Sequence, residues 1–479
     1  MRWDPDASRR RARREGDDRF HDECGVCAVW GHADAANLVY LGLYALQHRG
    51  QESAGIAAFD GRELHHHKAM GYVADIFDRE TLGRLPGQVA VGHVRYSTAG
   101  NSSLVNAQPV VANTHRGRLA LAHNGNLVNA LRLRRQLEGD GAIFQSSSDS
   151  EVFLHLLARS RAGTIEEALL EALDAGRGAY SLAVMADGRL FAARDPRGFR
   201  PLVLGRVGEA WVVASETCAF DLIEAREVRE VGPGEVVELW GEEPRVIRPP
   251  SRGPFSHCVF EHIYFARPDS RVFGEDVQAV RLELGRRLAQ ESPVPADVVV
   301  GVPDSGIPAA LGYAHESGVP FALGMVRNHY VGRTFIEPRQ SIRHFGVKIK
   351  LNAVRSVVDG RRVVLVDDSI VRGTTSRKIV TMLRHAGASE VHLRISSPPT
   401  IGPCFYGIDT PERRELIAAS QSVEQIRAFV GADSLAYLTE QGMLGCLRTP
   451  PEHFCTACFS GRYPVLDEDG AAEVIAKDR

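Results

Sequence analysis

The chain lacks any run of about 18 apolar residues, so no segment is long and apolar enough to cross a bilayer as a helix. It lacks a strong charge of either sign: the net charge of -3 on 479 residues gives no electrostatic reason to expect a nucleic-acid or membrane-surface partner. Cysteine is scarce. Eight thiols spread over the whole length argue against a disulfide framework and for a reducing, cytoplasmic compartment. There is no Gly-Lys-Ser/Thr after a glycine-rich turn, which disfavours an ATP-hydrolysing phosphate loop. Apart from the N-terminal residues, neither an internal repeat nor a low-complexity tract is present.

What the chain has is enough length for two domains of roughly 200 residues each. Residues 1–23 stand apart in composition, with seven arginines matched by seven carboxylates and no apolar stretch. Without a hydrophobic middle this is not a secretory signal, and it reads as a disordered propeptide. Residues 24–243 are rich in short strand patterns such as Val89 to Val94 and Leu119 to Ala122, an α+β pattern. Residues 244–256 are broken by prolines and read as a linker. Residues 257–466 alternate apolar runs (Val298 to Val302, Val363 to Val366, Val391 to Ile395) with helical faces (Val277, Val280, Leu284, Leu288; Ile379, Leu383, Ala386), an α/β pattern with a central parallel sheet. Residues 467–479 form a tail.

Asp22-Glu23-Cys24-Gly25-Val26-Cys27 admits two readings. Cleavage before Cys24 would give its thiol an α-amino base with a pKa of about 7.7–8; the spacing alone equally fits a C-x-x-C redox or zinc motif. Further on stand Leu46-Gln47-His48-Arg49-Gly50-Gln51, His93-Val94-Arg95-Tyr96-Ser97-Thr98, His123-Asn124-Gly125-Asn126 and Ser148-Asp149-Ser150-Glu151. In order and spacing they resemble the glutaminase domain of the N-terminal-nucleophile amidotransferases. The resemblance implies a four-layer αββα fold with Cys24 as nucleophile, Asn124 and Gly125 as oxyanion hole, and Arg49, Gly50, Arg95 and Asp149 around glutamine. An arginine fork suits the α-carboxylate of that substrate, and an aspartate its α-ammonium. Cys27, where that family commonly has a bulky apolar residue, reads as a small buried hydrophobe.

In the second half, Val364-Leu365-Val366-Asp367-Asp368-Ser369-Ile370-Val371-Arg372-Gly373-Thr374-Thr375-Ser376 sets paired carboxylates at a strand end before a glycine and a helix start. Such N–H groups suit a 5′-phosphate, and the carboxylates a ribose diol or Mg²⁺. The stretch resembles the binding motif of type I phosphoribosyltransferases. That implies phosphoribosyl pyrophosphate held by Asp367, Asp368, Ser369, Arg372, Gly373, Thr374 and Thr375, a pyrophosphate loop at Asp304, Ser305 and Gly306, and Mg²⁺ near Ser305, Asp367 and Asp368. It also implies a closing loop at Tyr330 to Phe335 containing Arg333, with His329 where arginine is common. Tyr264, in Glu261 to Ser270, is the expected coupler of the two sites.

Cys258, Cys404, Cys455 and Cys458 sit in contexts similar to an iron–sulfur subgroup of the same amidotransferases. Four thiolates suit a [4Fe–4S] cluster or Zn²⁺ by spacing, and the resemblance favours the cluster as a staple. Cys218 and Cys446 are expected to pack. His65-His66-His67 cannot all face one way on a strand and reads as an exposed strand or turn. Both halves together imply an enzyme that frees ammonia from glutamine and passes it to phosphoribosyl pyrophosphate, giving 5-phosphoribosylamine, glutamate and pyrophosphate at the entry to purine synthesis. The resemblance further implies a homotetramer inhibited by purine nucleotides, with contacts near Arg333 and Lys348 to Lys350.

Overall fold

The computed structural model describes residues 24–96, 103–328 and 351–466. The expectations for residues 1–23, Ser97, Thr98, His329, Tyr330 to Phe335 with Arg333, Lys348 to Lys350 and the tail lie outside these.

Two antiparallel sheets form the first half. One has seven strands, running from Arg226–Glu230 at one edge through Gly25–Trp30 beside Val89–Arg95 to Leu64–Met70 at the other; the second has six, with Gly178–Ala186 beside Gly117–Leu127 near its middle. Strand alternation assigns each layer its apolar set. Val26 and Ala28 join Val91, Ala120 and Ala183 between the sheets. Cys27 and Val29 point the other way, onto Val39 and Leu43 of helix Ala35–Ala45. On the far side Leu121 and Leu182 pack under Phe153 and Leu169 of helices Ser150–Arg159 and Ile165–Ala175. The four layers are thus helix, sheet, sheet, helix.

The triple histidine lies on the edge strand Leu64–Met70, whose residues are half-buried or exposed. The proline-rich stretch is not wholly irregular: Arg245–Arg248 is an edge strand antiparallel to Val236–Leu239. Pro244 and Pro249 flank it, so neither proline has to donate to the ladder.

In the second half Val298–Gly301, Arg362–Asp367, Glu390–Ile395 and Ser434–Tyr437 form a parallel sheet in that order. Val363 to Val366 are fully buried, as a strand covered on both faces requires. Helix Thr374–His385 follows the second strand, and Gly387 at φ +104° turns the chain back after it. Helices Val277–Glu291 and Gly306–Ser317 approach backbone to backbone: a Cβ on Gly285 would lie 1.9 Å from the Ala309 carbonyl oxygen, and one on Gly312 1.9 Å from that of Leu282.

Candidate active sites

Cys24 immediately precedes strand Gly25–Trp30 and is 5% exposed. Its Sγ donates to the Tyr96 carbonyl oxygen at 3.7 Å. Strand alternation puts it on the side of Val26 and Ala28, whereas Cys27 faces the helix layer, where its sulfur fills the space left by Gly42. Burial pushes the Cys27 thiol up to about 12. Two thiols on opposite faces cannot share a metal or a disulfide, so the C-x-x-C alternative falls.

Gly25 pairs with Val94, and continuing that register sets Arg95, 2% exposed, across from Cys24. Gly50 packs on this spot: a Cβ there would lie 2.6 Å from the Arg95 nitrogen. Any side chain at residue 50 would therefore push the Arg95 strand away. Asp149, at the start of helix Ser150–Arg159, accepts from the Leu127 N–H at 2.9 Å, with His123 Nδ1 3.8 Å from the same oxygen. The strand that carries Asn124 and Gly125 is thereby tied to the carboxylate expected to meet the substrate ammonium.

Asn124 is fully buried, and neither its Oδ1 nor its Nδ2 has a hydrogen-bond partner. A buried amide without partners is costly and unusual. Gly125 adopts φ +148°, and a Cβ on it would lie 2.1 Å from the Ala179 carbonyl oxygen. Only glycine fits. Strand Gly117–Leu127 packs across from Gly25–Trp30, and Asn124, in alternation with Ala120 and Ala122, is on the face turned to the nucleophile's sheet.

Arg49 is 1% exposed, and its guanidinium is committed to protein groups. Nε donates to the Cys24 carbonyl at 3.1 Å, Nη1 to Glu216 at 2.5 Å, and both terminal nitrogens to Glu261 at 2.9 and 2.7 Å. Arg200 also reaches Glu261, at 3.2 Å, and donates to the Tyr406 carbonyl at 3.0 Å. Glu216 further accepts from His48 at 2.8 Å, Ser270 at 2.6 Å and the Arg267 N–H at 2.9 Å. Burial alone would raise the Glu216 pKa, but the charges of His48 and Arg49 and these donors hold it well below the usual carboxylate range. His48, Glu216 and Cys218 lie close enough to share a cation; the donors already on Glu216 make the cluster an ion-pair network instead. Sequence reasoning placed Arg49 beside the nucleophile but missed Glu216, Arg200 and Glu261. Glu261 opens the segment that carries Tyr264, and nothing in its local spacing singles it out.

Tyr264 is half-buried, edge-on to Phe265 at 5.2 Å and Phe260 at 6.4 Å. It sits on the short π-helix Glu261–Phe265 that also carries Glu261, so the charged link between the halves lies three residues before the expected coupler.

At the other site the carboxyl ends of two adjacent parallel strands deliver helix starts side by side, the usual place for a ligand in such sheets. Ser305 precedes helix Gly306–Ser317, and Gly373, at φ +76°, precedes helix Thr374–His385. A Cβ on Gly306 would lie 2.5 Å from the Val366 carbonyl oxygen, which fixes the loop against the strand that ends in Asp367. Ser305 Oγ donates to one Asp368 oxygen at 2.5 Å and Ser369 Oγ to the other at 2.5 Å, while the Asp368 N–H bonds Asp367 at 3.0 Å. The expected Mg²⁺ trio is thus gathered. Asp304 is ion-paired with Arg327 at 2.7 Å, and Arg372 with Glu415 at 3.2 Å; sequence reasoning missed both partners.

Cys258 and Cys455 are directly paired on short parallel strands. Burial, and then the neighbouring Cys258, Cys455 and Cys404, push the Cys458 thiol well up. Four thiols close enough to repel one another as anions form the donor set that a cationic metal centre would relieve. Cys218 is buried and Cys446 half-buried.

A glutamine amidotransferase domain family matches residues 93–221, and a phosphoribosyl transferase domain family matches residues 283–396. The chain is 52% identical over 451 residues to the amidophosphoribosyltransferase of Bacillus subtilis strain 168, covering 93% of this chain and 95% of that protein. It is 53% identical over 455 residues to the chloroplastic amidophosphoribosyltransferase 1 of Arabidopsis thaliana, covering 94% and 80%. Two solved structures superpose with TM-scores of 0.88. One, described as the allosteric regulatory enzyme of purine biosynthesis, is 51% identical and matches 93% of this chain and 97% of its own. The other, the B. subtilis glutamine phosphoribosylpyrophosphate amidotransferase with ADP and GMP, is 50% identical and matches 93% and 99%.

Proposed function

The chain belongs to the amidophosphoribosyltransferase family, and from that premise we propose how its own residues divide the reaction. The activity is glutamine-dependent transfer of ammonia to phosphoribosyl pyrophosphate, the first step of purine nucleotide synthesis. Removal of residues 1–23 frees the Cys24 α-amino group. That amine takes the thiol proton, and the thiolate attacks the glutamine amide carbon. Asn124 and the Gly125 N–H receive the oxyanion. Collapse expels ammonia, which leaves with the proton held by the amine, and water hydrolyses the Cys24 thioester to glutamate. Arg95 and Asp149 hold the substrate's two charged ends. Arg49 grips the Cys24 carbonyl, fixing the nucleophile.

Ammonia then displaces pyrophosphate from C1 of the ribose, which Asp367, Asp368, Ser369 to Thr375 and the Asp304-Ser305-Gly306 loop hold in place. Arg333 belongs to the same set. Ser305, Asp367 and Asp368 are the residues that would hold Mg²⁺, which when bound neutralises the leaving pyrophosphate. One segment joins the two centres: the Ser396 N–H bonds the Asp367 carbonyl at 3.0 Å, the buried hydroxyls of Ser397 and Thr400 are unpartnered, and Asn126 bonds the Phe405 carbonyl at 2.9 Å. Ammonia passes along it, with Tyr264 and Glu261 linking the sites.

Cys258, Cys404, Cys455 and Cys458 hold a [4Fe–4S] staple. Iron and sulfide analysis with the visible absorption of the purified protein tests this; zinc without iron overturns it. The solved relative holding ADP and GMP supports purine nucleotide inhibition, and the protein acts as a cytoplasmic homotetramer. No nucleic-acid or membrane partner is proposed; among the described residues no helix is long and apolar enough to cross a membrane.

The observation that carries the glutaminase assignment is Asn124, buried with an unpartnered amide opposite the Cys24 strand. Pyrophosphate release is measured with glutamine or with ammonia as donor. Cys24→Ser is expected to abolish the first and keep the second, and Asp368→Asn to lose both. Full glutamine-dependent rate in Cys24→Ser overturns the reading.

A further inference from the structure

We infer that the loop Cys404 to Gly407, part of the phosphoribosyltransferase half, is a positioning element for the oxyanion hole of the other half. The inference rests on the assignment of Asn124 and Gly125 given above.

Gly407 has φ +106°, and a Cβ on it would lie 2.9 Å from the Gly125 Cα and 3.0 Å from its carbonyl carbon, well inside carbon–carbon contact distance. On its other side Gly125 is pressed against the Ala179 carbonyl oxygen. The donor peptide is therefore held between its own sheet and a loop of the second half. One residue further along, Asn126 Nδ2 donates to the Phe405 carbonyl at 2.9 Å, so the same strand is gripped twice.

The loop is itself rigidly seated. Arg200 donates to the Tyr406 carbonyl at 3.0 Å, the Tyr406 ring stacks on Phe199 at 4.2 Å, and the Tyr406 hydroxyl donates to the Val465 carbonyl at 2.7 Å. Arg200 shares Glu261 with Arg49, which bonds the Cys24 carbonyl. Nucleophile and oxyanion donors are thus registered against one another through residues of the second half. Small displacements matter here, because loss of one oxyanion donor typically costs about 100- to 1000-fold in rate.

The test uses the full-length holoenzyme and three variants. Gly407→Ala pushes on Gly125. Asn126→Ala removes the second grip without adding bulk. Asn124→Ala removes the donor itself. For Gly407→Ala and Asn126→Ala, the kcat for glutamate formation from glutamine, a readout upstream of ammonia transfer, is expected to fall by about tenfold or more. Glutamine KM, the ammonia-dependent rate and the rate of Cys24 alkylation by iodoacetamide should stay near wild type. Unchanged glutamine kcat in both variants overturns the inference, and so does a parallel loss of glutamine- and ammonia-dependent rates, which marks a merely structural role. If Gly407→Ala does not accumulate as folded protein, Asn126→Ala decides alone. Full glutamine activity in Asn124→Ala removes the oxyanion assignment and the inference with it; loss there with wild-type behaviour in the other two removes the inference alone.

Discussion

His93 sits fully buried on strand Val89–Arg95, with Nε2 donating to the His123 carbonyl at 2.9 Å. Burial pushes its pKa down to about 3, outweighing that hydrogen bond. The folded protein therefore keeps this ring neutral while the unfolded chain protonates it near pH 6.5. Its share of stability is intact above about pH 6.5 and is lost as pH falls toward 3, amounting to about 2 kcal/mol at pH 5. Urea unfolding at pH 7.5 and pH 5 should show a smaller loss for His93→Gln, which keeps a donor but does not titrate; an identical loss contradicts the assignment. Side-chain chemistry was legible where a local motif carried it, as with Asn124-Gly125 or Asp367-Asp368. The commitments of Arg49 were not, because Glu216 and Glu261 lie 167 and 212 residues away along the chain, and no local spacing announces such partners.

Among the elements, the pair Val277–Glu291 and Gly306–Ser317 decides where Ser305 stands, and Gly285 and Gly312 let the two backbones touch. Gly312→Ala must separate them, at a cost of about 1–3 kcal/mol or more for overpacking, and should raise the KM for phosphoribosyl pyrophosphate as the helix start shifts. Gly139→Ala, at the last residue of helix Ala130–Gly139, is the control: nothing lies within 4 Å of its Cβ position, and helix propensity favours alanine there by up to about 1 kcal/mol. Thermal melts of both variants should move in opposite directions. Val298 to Val302 and Val363 to Val366 were readable as unbroken apolar runs, whereas His392 and Arg394 interrupt Val391 to Ile395, and the half-buried edge strand Ser434–Tyr437 carries no such run. Arg245–Arg248 was not readable, because an edge strand with charged ends between two prolines has neither an apolar run nor a clean alternation. The stacking of two sheets came from the family likeness, since strand patterns do not reveal which faces meet.

For the molecule as a whole, the joint between its halves is ionic as well as apolar. Glu261 stands between Arg49 and Arg200, all three fully buried. Removing one partner of a buried charge set typically costs about 3–5 kcal/mol, because the remaining charges stay uncompensated. Trp30, Trp211 and Trp240, the tryptophans among the described residues, all lie in the first half. Glu261→Gln should lower the guanidinium midpoint reported by tryptophan fluorescence even though the substitution is in the second half; an unmoved midpoint means the halves unfold independently of this joint. The two-part division was legible from the change of strand pattern. The joint was not, since it is made of single residues contributed by distant segments. The pairing of His257 and Cys258 with Phe454 and Cys455 has one more consequence: it laces together two stretches that lie far apart along the chain. A proteolytic nick at a surface turn between them should leave both fragments held in one particle.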